Sequence, residues 1–366
     1  MIHILTSVVL AAFLGFAQAP AAGGWQAVAG GDELSGQARF TIGGTSTAKR
    51  FVLRMPAKWN GSLVIGAHGG SGGNAVDRSG KVYATSETAL DDVIGAYVFA
   101  HGFAYASVDR DGIGGSEEGA LLTVAFLAKV DGEILKRFNL MPERRYVVGL
   151  SAGGGMTRRI AEDTPAGAVD GVVIIAGAGG DLVTRMDRQQ RIAALWPLID
   201  PRAHAGLTSN DPQIASYADA IGTPVEARRL WPYTGAGAAT ASRPTGTVEN
   251  STAKPSIPVI EVVGTWDDLV IREVRAYRDR VEPKERHRLY QVEGVWHMSG
   301  DDDGVAGFQY AAESRMKLDQ DVADAMGEGP SYIPTVHDAF DALVRWVEKG
   351  VAPPSSQTVK PGGKLR

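Results

Sequence analysis

The sequence contains no cysteine. Disulfides, thiolate zinc sites, a cysteine nucleophile and a lipid-modified N-terminal cysteine are therefore excluded together. It also lacks any run of Lys or Arg. With 37 basic residues against 42 acidic ones the formal net charge is −5, which argues against nucleic acid or a polybasic membrane partner. Internal repeats are missing, and so are G-x-x-x-x-G-K-[ST] and G-x-G-x-x-G, the glycine patterns that cradle nucleotide phosphates. Asp301-Asp-Asp-Gly304 has the residues of a calcium loop without its alternating spacing. The expectation is no metal and no cofactor.

Long hydrophobic runs are scarce too. Ile4 to Ala17 is apolar but short for a membrane span. It ends at Ala17-Gln18-Ala19, a small-x-small pattern, and Pro20 to Gly24 follows as a loose tail. We read residues 1–19 as a signal peptide, with the cut between 19 and 22 because Pro20 disfavours the first position. Met1-Ile2-His3 carries no Lys or Arg, which departs from the usual pattern. The expected location is secreted or periplasmic, with no membrane span after processing.

What the sequence has in excess is glycine, 46 of 366 residues, in tight clusters that signal sharp turns. Between the clusters lie short apolar runs: Leu63–Ala67, Phe103–Val108, Arg145–Gly149, Gly171–Ala176, Pro258–Val263 and Arg288–Val292. Helical patterns alternate with them at Ser86–His101, Ala120–Met141, Val270–Val281 and Val336–Lys349. Continuous apolar strands alternating with helices imply an α/β fold, a mostly parallel sheet with helices on both faces. The alternation stops between about Asp181 and Pro255, so residues 182–256 are read as a cap inserted in a single domain spanning 20–366.

The chemistry centres on Gly149-Leu150-Ser151-Ala152-Gly153, a G-x-S-x-G between a buried strand and a helix. There the serine sits on a strained turn and the glycines make room for neighbouring backbone, which marks Ser151 as a nucleophile. Its base must be one of His3, His68, His101, His204, His287, His297 and His337. His297 follows the last strand of the alternating series and is preferred. A carboxylate must then fix the imidazole tautomer. Asp267, in the loop after Pro258–Val263, is the first choice, with Asp268 and Asp181 as alternatives. For the oxyanion, one N–H is expected from Ala152, after the nucleophile. The other is expected from His68-Gly69-Gly70-Ser71, at Gly70 or Ser71. Ser71, Trp266 and Trp296 are expected to line the substrate pocket, extended by Trp196, Tyr217, Trp231 and Tyr233 of the cap.

The order Ser151, Asp267, His297 with an upstream His-Gly-Gly loop resembles the α/β-hydrolase superfamily over nearly all of the mature chain. Val108 to Ser116 resembles the strand-end turn of these enzymes, which implies structural roles for Asp109 and Asp111. The ending Trp346-Val-Glu-Lys-Gly-Val-Ala-Pro-Pro354 is similar to the close of tannase and feruloyl-esterase-like proteins. Those proteins place cysteines beside the serine and histidine, where Leu150 and Met298 stand here, so their substrates are not carried over. The resemblance implies a serine hydrolase acting on a small-molecule or polymeric ester; bulky or aromatic groups are expected only from the tryptophans placed beside Asp267 and His297. An amidase or lactonase, phthalyl-amidase-like, uses the same triad, and a non-catalytic binding protein on this scaffold is the rival from another class. Neither the oligomeric state nor the acyl group is legible.

Export is directly testable. Mass spectrometry of protein recovered from the periplasm or medium is expected to show an N-terminus between Pro20 and Gly24, whereas an intact Met1 on exported protein would refute cleavage.

Overall fold

Strands that are apolar at every position need cover on both faces, and the helices supply it. The computed structural model describes residues 24–69, 75–76, 82–110, 116–165, 167–178, 251–267, 270–295, 297 and 330–366. In chain order the strands are β1 (Gln26–Val28), β2 (Gly31–Ile42), β3 (Thr45–Pro56), β4 (Ser62–Ala67), β5 (Ala75–Val76), β6 (Val82–Ala84), β7 (Ala104–Val108), β8 (Arg144–Leu150), β9 (Gly171–Ile175), β10 (Val259–Gly264), β11 (His287–Val292) and β12 (Gln357–Val359). The helices are α1 (Ala96–Ala100), α2 (Ser116–Phe138), α3 (Ala152–Asp163), α4 (Ile271–Arg280) and α5 (Ile333–Lys349).

Ten strands form one sheet in the order β1-β2-β3-β7-β4-β8-β9-β10-β11-β12, and β5-β6 stand apart. Pairing is antiparallel from β1 to β7 and parallel from β7 to β12. Alternate side chains feed two cores. Leu63 and Ile65 point to the side covered by Leu122, Phe126 and Val130 of α2 and Ile160 of α3. Val64 points to the side covered by Val336, Phe340 and Leu343 of α5. The chain goes from β4 to β7 on one flank and returns to β8 on the other, so the strand order reverses at β4. In parallel sheets such a switch point opens a crevice at the strand C-termini.

The sequence pattern and the structure part company in three places. The helix expected over Ser86–His101 is broken into a 3₁₀ turn (Ser86–Thr88), a π turn (Asp91–Gly95) and the short α1. Gly95 explains part of this: a Cβ there would lie 2.8 Å from the Tyr105 ring, and Arg54 holds Asp91 at 2.8 Å. α2 begins four residues earlier than its apolar pattern, because Glu117 and Glu118 suit the positive end of a helix. β1 and β12 have three residues each, too few to show a period. The signal segment and most of the expected cap lie outside the described residues. Of the cap range, residues 251–256 run along α3: Thr252 N–H donates to Glu162 at 2.8 Å and Ser256 N–H to the Ala161 carbonyl at 2.8 Å. None of the described helices is long and apolar enough to cross a membrane.

A buried ion pair ties α3 to β10. Arg158 Nε donates to Glu261 Oε1 at 2.6 Å, with both side chains 1% exposed. The guanidinium also donates to the Gly177 carbonyl at 3.2 Å and lies over the Tyr277 ring at 4.8 Å. His287 Nε2 stands 3.3 Å from the other oxygen of Glu261. Burial alone would push the Glu261 carboxyl up, but the Arg158 charge and the bonds from His287 and Arg158 outweigh it and hold the carboxyl below its usual range. Stability from this pair is therefore full above the ordinary carboxylate range and is lost as pH falls through the lower folded value. Replacing Arg158 by Met strands a buried carboxylate, and urea unfolding at neutral pH is expected to show a loss of about 3–5 kcal/mol. A loss below ~1 kcal/mol would mean that water reaches Glu261.

Candidate active site

The site gathers at the C-terminal ends of the parallel strands. β8 ends at Leu150 and α3 begins at Ala152, so Ser151 alone must turn the chain. It does so at φ +54 and ψ −119, a conformation unfavourable for a residue with a Cβ. Two bonds hold it there: Ser151 N–H donates to the Ile175 carbonyl at 2.9 Å, and Ala178 N–H donates to the Ser151 carbonyl at 2.8 Å. The turn also presses against β4. A Cβ on Gly153 would meet the Ala67 carbonyl oxygen at 1.9 Å and that of His68 at 2.6 Å. A Cβ on Gly69 would stand 3.0 Å from the Ser151 Cβ.

Two further loops reach the same spot and are stitched to each other. After β10, Thr265 N–H donates to the Val292 carbonyl at 2.8 Å and Trp266 N–H to the Val295 carbonyl at 3.0 Å. Gly294 N–H returns a bond to Thr265 Oγ1 at 3.0 Å. The register sets Asp267 beside His297. Asp267 Oδ2 lies 2.9 Å from His297 Nδ1, and His297 Nε2 lies 2.9 Å from Ser151 Oγ. A carboxylate accepts, so Nδ1 carries the proton and Nε2 accepts from the Ser151 hydroxyl. Asp267 is fully buried and His297 nearly so. Asp267 Oδ1 also accepts the Val270 N–H at 3.2 Å at the start of α4. Tyr332, buried at the head of α5, donates its hydroxyl to the His297 carbonyl at 3.1 Å.

A family model described as "Alpha/beta hydrolase domain" matches residues 122–364, the greater part of the chain. The chain belongs to that family. Among solved structures, an esterase from Aspergillus oryzae aligns with TM-score 0.51 and 14% identity over 88% of this chain and 81% of its own. Feruloyl esterase B from Aspergillus oryzae aligns with TM-score 0.52 and 13% identity over 91% of this chain and 86% of its own. At such identities the likeness establishes the fold. No curated protein matches the chain significantly.

In this α/β-hydrolase domain, Ser151, Asp267 and His297 come together from three loops. Ala152 is the first residue of α3, beside the serine. Trp266 is half-buried in the loop that carries Asp267. Gly70, Ser71, Trp296, Asp268, Asp181 and the cap aromatics Trp196, Tyr217, Trp231 and Tyr233 lie outside the described residues, as do Asp111 and Asp301–Gly304. Asp109 pairs with Arg50 at 3.5 Å and its N–H donates to the Arg50 carbonyl at 2.8 Å. Of the other histidines, His101 Nδ1 bonds the Tyr97 carbonyl, His337 donates to the Val93 carbonyl, and His287 stands beside Glu261. Among the described residues no group of three or more His, Asp or Glu is arranged for a metal. Sequence reasoning missed Tyr332 and Arg110, whose partners are 35 and 42 residues away.

The two glycines around the serine separate fold from site. Gly153→Ala drives a methyl into two backbone carbonyls and is expected to abolish native folding. Gly69→Ala needs a shift of only tenths of an ångström, so circular dichroism is expected to stay native while turnover falls roughly 10- to 100-fold through misplacement beside Ser151. A fully active Gly69→Ala variant would show that this loop does not serve the reaction.

Proposed function

We propose that the protein is a serine hydrolase that cleaves carboxylic esters through an acyl-enzyme. The observation that carries the reading is the hydrogen-bonded line from Ser151 Oγ through His297 to buried Asp267, with the serine on a strained strand-to-helix turn. A serine held so has no structural need of that histidine, and the strain is explained if the hydroxyl must face a substrate.

In this mechanism His297 Nε2 takes the Ser151 proton as Oγ attacks the ester carbonyl carbon. Asp267 holds the tautomer and offsets the charge of the imidazolium. The carbonyl oxygen becomes an oxyanion, met by the Ala152 N–H and, on the sequence reading, by Gly70. Collapse breaks the ester C–O bond, and His297 protonates the departing alcohol. Water, deprotonated by His297, then attacks the acyl carbon and releases the acid and Ser151. The positive end of α3 faces the developing charge. Trp266, next to Asp267, and Trp296, next to His297, are assigned to the pocket wall, which favours bulky or aromatic esters. Export follows from the N-terminal reading, with Ile4–Ala17 as its signal.

Ser151→Ala is expected to abolish turnover of p-nitrophenyl esters and labelling by a fluorophosphonate while leaving the thermal transition in place. Asp267→Asn is expected to lower kcat by about 10⁴. Labelling at another serine would refute the assignment, and absence of any turnover would favour a binding protein. In kcat/KM, an aromatic ester is expected to exceed its acetate counterpart by about 10- to 150-fold, from 1.5–3 kcal/mol of ring burial. Trp266→Ala is expected to reduce that preference. A matched amide is expected to be slower, and one that outruns its ester would move the assignment to an amidase.

A further inference from the structure

His297 lies beyond β11, in neither strand nor helix, yet its imidazole meets Asp267 and Ser151 at 2.9 Å each. A side chain hinged on such a segment is placed only as well as its backbone is held. Two ties bracket it. Upstream, the Val295 carbonyl accepts the Trp266 N–H at 3.0 Å, which registers the segment against the loop that carries Asp267. At His297 itself, the carbonyl accepts the Tyr332 hydroxyl at 3.1 Å. The first tie joins loop to loop; the second joins the loop to a helix.

Tyr332 is well fixed to serve as that anchor. It is fully buried, and it shares one core with Val292 and Val295, which lead to His297, and with Ile333 and Val336 of α5. Its carbonyl accepts the Val336 N–H at 3.0 Å, and the Ile333 N–H after it donates to Ser331 Oγ at 3.0 Å. Pro334 presets the first turn of the helix. Pro330 lies 3.9 Å from where a Cβ on Gly294 would stand, so the chain entering α5 runs against the turn before His297. α5 in turn packs on β9 and β10. Phenylalanine would fill the same volume with no hydroxyl to desolvate, so packing alone does not require the phenol.

We propose that Tyr332 is a positioning residue for the base: its hydroxyl, by holding the His297 carbonyl to α5, keeps Nε2 on Ser151 while Nδ1 stays on Asp267. This rests on the ester-hydrolase reading above. The carbonyl is bonded to the Cα that carries the imidazole, so releasing it lets the ring drift from both partners at once. Such drift is costly, since an ångström of misplacement can lower a rate about 10²-fold. His297 takes a proton in acylation and again in deacylation. Both steps therefore slow together, and KM, which depends on their ratio, is unchanged.

On p-nitrophenyl esters, Tyr332→Phe is expected to lower kcat roughly 5- to 30-fold with KM changed by less than about twofold. Fluorophosphonate labelling of Ser151 is expected to slow by a similar factor. Tyr290→Phe is the control: that phenol is buried in the same core and donates to the Pro354 carbonyl at 2.8 Å. It loses the same kind of bond and is expected to lower Tm comparably with kcat unchanged. Tyr332→Phe is then made in a His297→Ala background, where residual catalysis of roughly 10³- to 10⁴-fold over water persists without the imidazole. There it is expected to change turnover by less than about twofold. An equal loss in that background overturns the proposal, because the hydroxyl would then act on something other than the base. So does a loss confined to KM, full turnover in Tyr332→Phe, or a Tyr290→Phe loss as large. A Tyr332→Phe protein that does not fold assigns the hydroxyl to the framework and overturns it too. Wild-type protein that turns over no ester and takes no fluorophosphonate overturns the ester-hydrolase reading itself, and this proposal with it.

Discussion

A side chain at position 153 has nowhere to go, because α3 and the end of β4 meet backbone to backbone. That contact fixes the site. It forms where the strand order reverses, with β4 paired to β7 on one edge and to β8 on the other. It also forces Ser151 into its φ +54 turn, which costs on the order of 1–3 kcal/mol. The buried bonds to Ile175 and Ala178, each worth roughly 1 kcal/mol net, offset most of that cost. The strain is thus supported by β9 and the loop after it, which Arg158 grips at Gly177.

Local signals made part of this legible before any coordinates. Runs such as Leu63–Ala67 and Gly171–Ile175 announce buried strands, because no other element of that length is apolar throughout. G-x-S-x-G announces its turn because the flanking glycines have no alternative use between a strand and a helix. Partnerships across the chain left no such mark. Nothing near Tyr332 says that it holds the His297 backbone, and nothing in β10 says that Glu261 meets Arg158, 103 residues earlier. The choice among aspartates was equally opaque, since Asp267 and Asp268 are neighbours on one turn. In the structure Asp267 stands beside His297 because bonds from Thr265 and Trp266 to Val292 and Val295 set the register of the two segments, a pairing no local signal marks. The break at Gly95 was hidden for the same reason: it answers to Tyr105 across the packing, not to its own sequence.

Two buried carboxylates on the β10 segment show how partner choice separates framework from chemistry. Glu261, inside the strand, faces a guanidinium that never releases its proton, so its ion pair persists at any pH above the lowered carboxyl range and joins α3 to the sheet. Asp267, three residues beyond the strand, faces an imidazole whose other nitrogen is turned to a hydroxyl. There the ion pair exists only when His297 has taken a proton. A permanent cation at that place would stabilise Asp267 better and would leave nothing to accept the serine proton that the proposed mechanism moves.

The helix termini carry the same distinction. α2 opens with Glu117 and Glu118, which neutralise the positive end of its dipole. α3 opens with Ala152 and three glycines, has no acidic residue in its first turn and no side-chain cap. Glycine in place of alanine costs a helix up to ~1 kcal/mol per residue, so this is a poor way to begin one. The loss has a steric reason at Gly153, and also at Gly154, where a Cβ would lie 2.6 Å from the Gly177 Cα. It has an electrostatic consequence as well. With no carboxylate or capping hydroxyl to satisfy it, the positive end of α3 keeps its field for whatever negative charge arrives beside Ser151, which in the proposed mechanism is the tetrahedral oxyanion.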